Sequence, residues 1–206
     1  MLDPDLEDNF YGFFGTSRLS PENDNDPLTC RKGPLLISFN IEDAVWNDFI
    51  HAHKNHLADV MFKSFVMTGL LGDMEALPSE AYSVCVTCVN DAAIKDLNRT
   101  WRDQDKPTNI LSFPTYDQQE IRDKLYLNDP EIHFGDAVMA WDYCQKEALD
   151  ANIPFLEHIS HMVIHGMLHI LGYDHIHDLD AQHMEQLEIN ILKAFGYANP
   201  YEVNKA

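Results

Sequence analysis

The run from His161 to His175 reads His-Met-Val-Ile-His-Gly-Met-Leu-His-Ile-Leu-Gly-Tyr-Asp-His, and it constrains the fold more than any other part of the chain. Its apolar content marks a buried helix. Residues four apart share one helix face, so the imidazoles of His165 and His169 stand side by side. Gly172 suits the left-handed residue that ends a helix and turns the chain. His175 can then return toward the same point. A helix, a tight reversal and a returning loop are therefore expected here.

Three neutral imidazoles with a fourth position left open are the donor set of a catalytic zinc site, not of a closed structural one. His165, His169 and His175 are thus the expected ligands of one zinc ion per chain, and other divalent ions also suit imidazole donors. The spacing is that of the metzincin pattern HxxxHxxGxxH with one departure. Metzincin proteases carry Glu directly after the first His as general base, and this chain has Gly166 there. His161 competes as a ligand from one turn earlier. Three stacked turns of a straight helix converge on an ion less well than two turns and a loop, so His161 is expected beside the ligands or buried. His158, His177 and His183 are expected at the surface or beside the ligands. Asp174 either orients a ligating ring or forms the turn.

The overall charge bears on what such a site can act upon. With 14 Lys plus Arg against 34 Asp plus Glu, the formal charge is -20. That balance favours solubility and opposes non-specific binding to nucleic acid or anionic membrane, so any RNA contact must be confined to a cleft or helped by a partner. No DNA or membrane partner is expected. Cys85 and Cys88 form a CxxC, but they fall in the strand-like run Tyr82 to Val89. Residues three apart on a strand point to opposite faces, so small buried thiols of a cytosolic protein are expected, not a zinc or redox pair. No apolar run approaches the ~18 residues of a membrane span, and Met1 to Asp5 lacks the start of a signal peptide. A cytoplasmic location is the expectation.

At 206 residues with 45% apolar content, one domain with a sizeable core is expected. Residues 1–34, punctuated by Pro4, Pro21, Pro27 and Pro34, read as a disordered acidic tail in which Phe10, Tyr11, Phe13 and Phe14 are an apolar exception. Residues 35–200 read as the domain and 201–206 as a C-terminal tail. Strands are expected at Leu35–Asn40, Ser83–Val89, Asn109–Phe113 and Ile132–Ala140. Helices are expected at Glu42–Thr68, Asp91–Trp101, from Asp142, at Leu156–Leu171 and at Ala181–Phe195. Thr115–Pro130 reads as a long loop. His51, His53 and His56 cannot share one face of the first helix and are expected at or near its surface. The order suggests an α+β fold, a small mixed sheet covered by helices.

A second motif lies upstream: Asn98, Trp101-Arg102, Asp105-Lys106-Pro107-Thr108 and Leu111-Ser112-Phe113-Pro114. Arg102 and Lys106 stand out in an acidic chain. A guanidinium can grip phosphate bidentately, and a surface salt bridge to Asp103 or Asp105 is the alternative. Together with Gly135-Asp136, the run from His165 to His175, and Met184, Glu185 and Glu188, this motif resembles the YbeY family over roughly residues 80–200. Trp101 stands where Tyr is usual in that family, and Ile170 where Leu is usual. The resemblance implies a zincin-like metal-dependent hydrolase fold. It implies a zinc-dependent, single-strand-specific endoribonuclease acting in small-subunit ribosomal RNA 3′-end maturation and ribosome quality control, with ribosomal RNA and the small ribosomal subunit as partners. It assigns His165, His169 and His175 to the metal and Arg102 to the active-site cleft. The nucleophile, water or the RNA 2′-hydroxyl, is left open. Two other readings remain at this stage. One is a metallopeptidase using Glu185 or Glu188 as base, and the other is a non-catalytic assembly factor whose zinc shapes the fold.

Overall fold

Apolar residues alternate along the strands, and that alternation sorts the helices onto the two faces of one sheet. The computed structural model describes residues 28–70, 82–127 and 131–202. Strands β1 (Thr29–Lys32), β2 (Leu35–Ile41), β3 (Tyr82–Val89), β4 (Ile110–Pro114) and β5 (Ile132–Ala140) pair in the order β1-β2-β3-β5-β4. β2, β3 and β5 are parallel, and β1 and β4 pair antiparallel at the two edges. Six helices accompany them among the described residues: α1 (Asn47–Met67), α2 (Asp91–Arg102), α3 (Gln118–Tyr126), α4 (Trp141–Asp150), α5 (Phe155–Ile170) and α6 (Asp178–Ala194). The fold is α+β, a mixed sheet covered by helices, as expected.

Ile37, Val84, Val86, Phe134 and Met139 point to the face that α1 and α5 cover. Val89, Leu111, Phe113 and Val138 point the other way, onto Ile94 and Leu97 of α2. Helix α5 is the centre of the larger core, with Ile159, Ile164, Met167, Leu168 and Ile170 all fully buried. Each such side chain contributes roughly 1.5–3 kcal/mol by leaving water. That burial fixes the one partly open stripe of α5, where the histidines stand. Cys88 joins the core and Cys85 faces away from it, both as free thiols. Burial pushes the Cys85 thiol up to about 12, so the CxxC offers no ready thiolate.

Three expectations need correction. Thr29–Lys32 lies in the stretch read as tail, yet it forms the edge strand β1 and places Cys30 in the core; residues 1–27, with Phe10 to Phe14, lie outside the described residues. The supposed loop from Thr115 contains α3, started by a capping box in which Asp117 accepts from the Glu120 N–H and Glu120 accepts from the Asp117 N–H. Helix α6 begins at Asp178, before Ala181. Deleting residues 1–34 is accordingly expected to strip the edge of β2 and lower the melting temperature by at least about 5 °C, a few kcal/mol for a domain this size. An unchanged thermal scan would show that β1 adds nothing.

Candidate metal centre

His165 and His169 sit on the last two turns of α5, and the chain then reverses as a glycine-closed helix end requires. Gly172 has φ +81. Its N–H donates to His169 O at 3.0 Å and the Tyr173 N–H donates to Leu168 O at 3.0 Å, the paired bonds of a Schellman ending. A Cβ at Gly172 would also meet the Gln118 backbone nitrogen at 2.8 Å, so the start of α3 holds the reversal in place. His175 returns with its ring centroid 5.6 Å from that of His165 and 5.0 Å from that of His169. One nitrogen from each of the three rings lies within 4.8 Å of the others, a set that can hold one metal ion.

The rings are oriented from behind. His165 Nδ1 lies 2.8 Å from Glu188 Oε1, and His169 Nδ1 lies 3.0 Å from Tyr173 O. A carboxylate and a carbonyl only accept, so each Nδ1 carries the proton and each Nε2 keeps its lone pair. Those two Nε2 atoms face each other at 3.1 Å. Two lone pairs so placed repel unless a cation lies between them. The separation is close to the roughly 3.3 Å that tetrahedral zinc with bonds of about 2.0–2.1 Å sets between two imidazole nitrogens. Burial, then the neighbouring His165 and His175, hold His169 down at about 4, so it is neutral and free to donate its lone pair near pH 7. The residues fit a zinc ion.

Glu188 on α6 is 1% exposed. Burial acts to raise its pKa, but hydrogen bonds from His161 and His165 outweigh that and hold it at about 2. Its Oε2 takes His161 Nε2 at 2.9 Å and also the Tyr201 hydroxyl. His161 therefore stands beside the converging set and not in it. Glu188 is not a base at the open position, because both of its oxygens are engaged behind the rings, and Glu185 is exposed and outside the converging set. Asp174 forms the turn, accepting from the His175 N–H at 2.6 Å. His158 is not at the surface: it is 7% exposed and lies 3.1 Å from Glu147. Tyr201 was assigned to a tail by sequence, and no pattern marked it.

The missing metzincin glutamate has a steric reason. Gly166 packs onto the edge strand, where Ser112 Oγ donates to Gly166 O at 3.2 Å. A Cβ at 166 would lie 2.7 Å from Ile110 Cδ1 and 3.3 Å from Ser112 Oγ. A side chain here points into β4, away from the triad. Gly166→Glu is therefore expected to bury an unpaired carboxylate and cost about 3 kcal/mol or more in urea unfolding, with no casein cleavage gained. A stable Gly166→Glu protein that cut casein would contradict this packing.

Arg102 is the last residue of α2, and Asp103 closes that helix in the left-handed region at φ 55. Asn98, 5% exposed, donates to Lys106 O at 2.8 Å and so anchors the loop that follows. Trp101 packs edge-on against Phe113 with centroids 5.7 Å apart. Arg102 is exposed. Asp105 pairs with Lys95 at 3.4 Å and Arg99 at 3.8 Å, and among the described residues Arg102 has no ion-pair partner. The salt bridge considered for it from sequence is absent there. No described contact joins Arg102 to the histidines, since α2 and α5 pack on opposite faces of β4.

Fold and site together define an α+β protein with a histidine triad that could hold a metal ion. The chain belongs to the YbeY endoribonuclease family: the family model described as Endoribonuclease YbeY matches residues 47–196. It is 38% identical to the Endoribonuclease YbeY of Sphingopyxis alaskensis over 144 residues, 70% of this chain and 84% of that one. It is 32% identical to that of Sinorhizobium fredii over 169 residues, 81% and 92% of the two chains. A solution structure from Thermotoga maritima is 21% identical with a TM-score of 0.49, covering 82% of this chain and 96% of that one. No helix among the described residues is long and apolar enough to cross a membrane.

Proposed function

We propose that this chain is a zinc-dependent endoribonuclease that cuts single-stranded RNA at His165, His169 and His175, with ribosomal RNA of the small subunit as its substrate, in 3′-end maturation and quality control. The observation that carries the reading is the convergence of three imidazoles, with the outer N–H groups of His165 and His169 already engaged, in a chain of an endoribonuclease family. A zinc ion bound there supplies Lewis-acid polarisation of a phosphoryl oxygen. Glu188 and the Tyr173 carbonyl hold the ligating rings in one tautomer and one orientation. Arg102, exposed and without an ion-pair partner among the described residues, is the group we assign to substrate phosphate, where a guanidinium steadies developing negative charge. The formal charge of -20 keeps RNA off the general surface, so productive binding depends on a local cleft or on a ribosomal partner.

The metallopeptidase reading loses support from Gly166, which faces β4, and from Glu188, whose oxygens are engaged behind the rings. Zinc-loaded protein offered single-stranded RNA, duplex RNA and casein in parallel is expected to cut the first and leave the other two intact. Casein cleavage with intact RNA would replace this reading by the peptidase one.

A further inference from the structure

Beyond α6 the chain turns through Pro200 and brings Tyr201 back against the helix it has just left. The Tyr201 hydroxyl donates to Glu188 Oε2, and its ring stands edge-on to His161 with centroids 6.1 Å apart. Oε2 of that carboxylate thus receives two donors, from His161 at 2.9 Å and from Tyr201, while Oε1 receives one, His165 Nδ1 at 2.8 Å. A carboxylate as deeply buried as Glu188 is tolerated only when its oxygens are satisfied. The last torsion of a glutamate is intrinsically broad, so donors on one oxygen decide where the other points.

We propose that Tyr201 is a positioning residue of the metal centre: by donating to Oε2 it pins the Glu188 carboxylate so that Oε1 meets His165 Nδ1 and turns that ring's Nε2 toward the ion. Tyr201 lies past residues 47–196, the span that the family model matches. Its hydroxyl approaches from the segment after α6, whereas His161 approaches from α5, so the two donors clamp one oxygen from two separate elements. Without the hydroxyl, Oε2 keeps a single donor and the carboxylate gains freedom to rock, which loosens the ligand it carries. The proposal rests on the metal reading of the three histidines.

Zinc affinity of the full chain, measured by competition against a chromogenic chelator, tests it in a cycle of Tyr201→Phe, Glu188→Gln and the double variant. The cobalt(II) absorption spectrum and the melting temperature of the metal-free protein are recorded alongside. Phe keeps the ring and removes only the hydroxyl. Tyr201→Phe is expected to weaken zinc binding about tenfold, the low end of the range for groups that hold a ligand from behind, and to shift the cobalt spectrum. In the Glu188→Gln background the same change is expected to alter affinity less than about twofold, because the effect passes through Glu188. A tyrosine with a merely structural role would lower the metal-free melting temperature and leave affinity and spectrum unmoved, which overturns the proposal. An undiminished tenfold loss in the Glu188→Gln background overturns it as well. If the unmodified chain binds no zinc, the metal reading falls and this proposal with it; if it binds zinc and Tyr201→Phe binds as tightly, the proposal alone falls.

Discussion

Replacing His169 with alanine is expected to remove bound zinc and RNA cleavage together while the chain stays folded. The ring is partly buried, and its Nδ1–H is held by the Tyr173 carbonyl, so the substitution forfeits one hydrogen bond of about 1 kcal/mol in stability. Its effect on the metal is far larger. Zinc sites of four protein ligands are worth roughly 10–16 kcal/mol, so one imidazole accounts for roughly 3 kcal/mol, or more than a hundredfold in Kd. Elemental analysis after gel filtration reads the loss directly. His161→Ala is the internal control. That residue bonds Glu188 and stands outside the converging set, so it is expected to weaken zinc binding without abolishing it. Equal losses from the two variants would mean that His161 is a ligand, and undiminished zinc in His169→Ala would remove the triad as the metal site.

Arg102→Ala is expected to keep zinc and melting temperature and to lose cleavage. The side chain is exposed and has no ion-pair partner among the described residues, so its removal has little to destabilise. If it grips a substrate phosphate, the contact is a charge-assisted hydrogen bond of roughly 1.5–3 kcal/mol, or about ten- to a hundredfold in rate. Arg102→Lys is expected to recover only part of this, because an ammonium cannot reproduce the planar fork. Single-turnover cleavage, zinc content and melting temperature on the same preparations separate catalysis from folding. Normal cleavage by a stable Arg102→Ala protein would take Arg102 out of the site and leave the histidines standing.

The parts legible in the sequence were those where local chemistry and packing agree. The imidazole spacing on α5 and the reversal at Gly172 follow from helix geometry and from the left-handed preference of glycine, and both are realised in the Schellman ending. The strand Ile132–Ala140 has the bounds its apolar pattern gave it. Helix α3 was missed because its turn signal, Asp117 and Glu120, sits in a polar stretch whose few buried residues, Ile121 and Leu125, are too sparse to show a period. Strand β1 was missed because a short edge strand after a proline-rich stretch carries little pattern of its own and is held by pairing with β2. Glu188 was noticed for the wrong task. Its sequence position gave no hint that it approaches the rings from behind, since that depends on how α6 packs on α5. Tyr201 depends on a fold-back of the chain after α6, which no local period encodes.

Titrating zinc into metal-stripped protein while following single-stranded RNA cleavage and bound metal tests the central claim most directly. Cleavage is expected to be absent without metal, to rise in step with bound zinc, and to level off at about one ion per chain, the capacity of a single His165, His169 and His175 set. Cleavage by the stripped protein equal to that of the loaded protein, or zinc bound at one per chain without any RNA cut, would contradict the account.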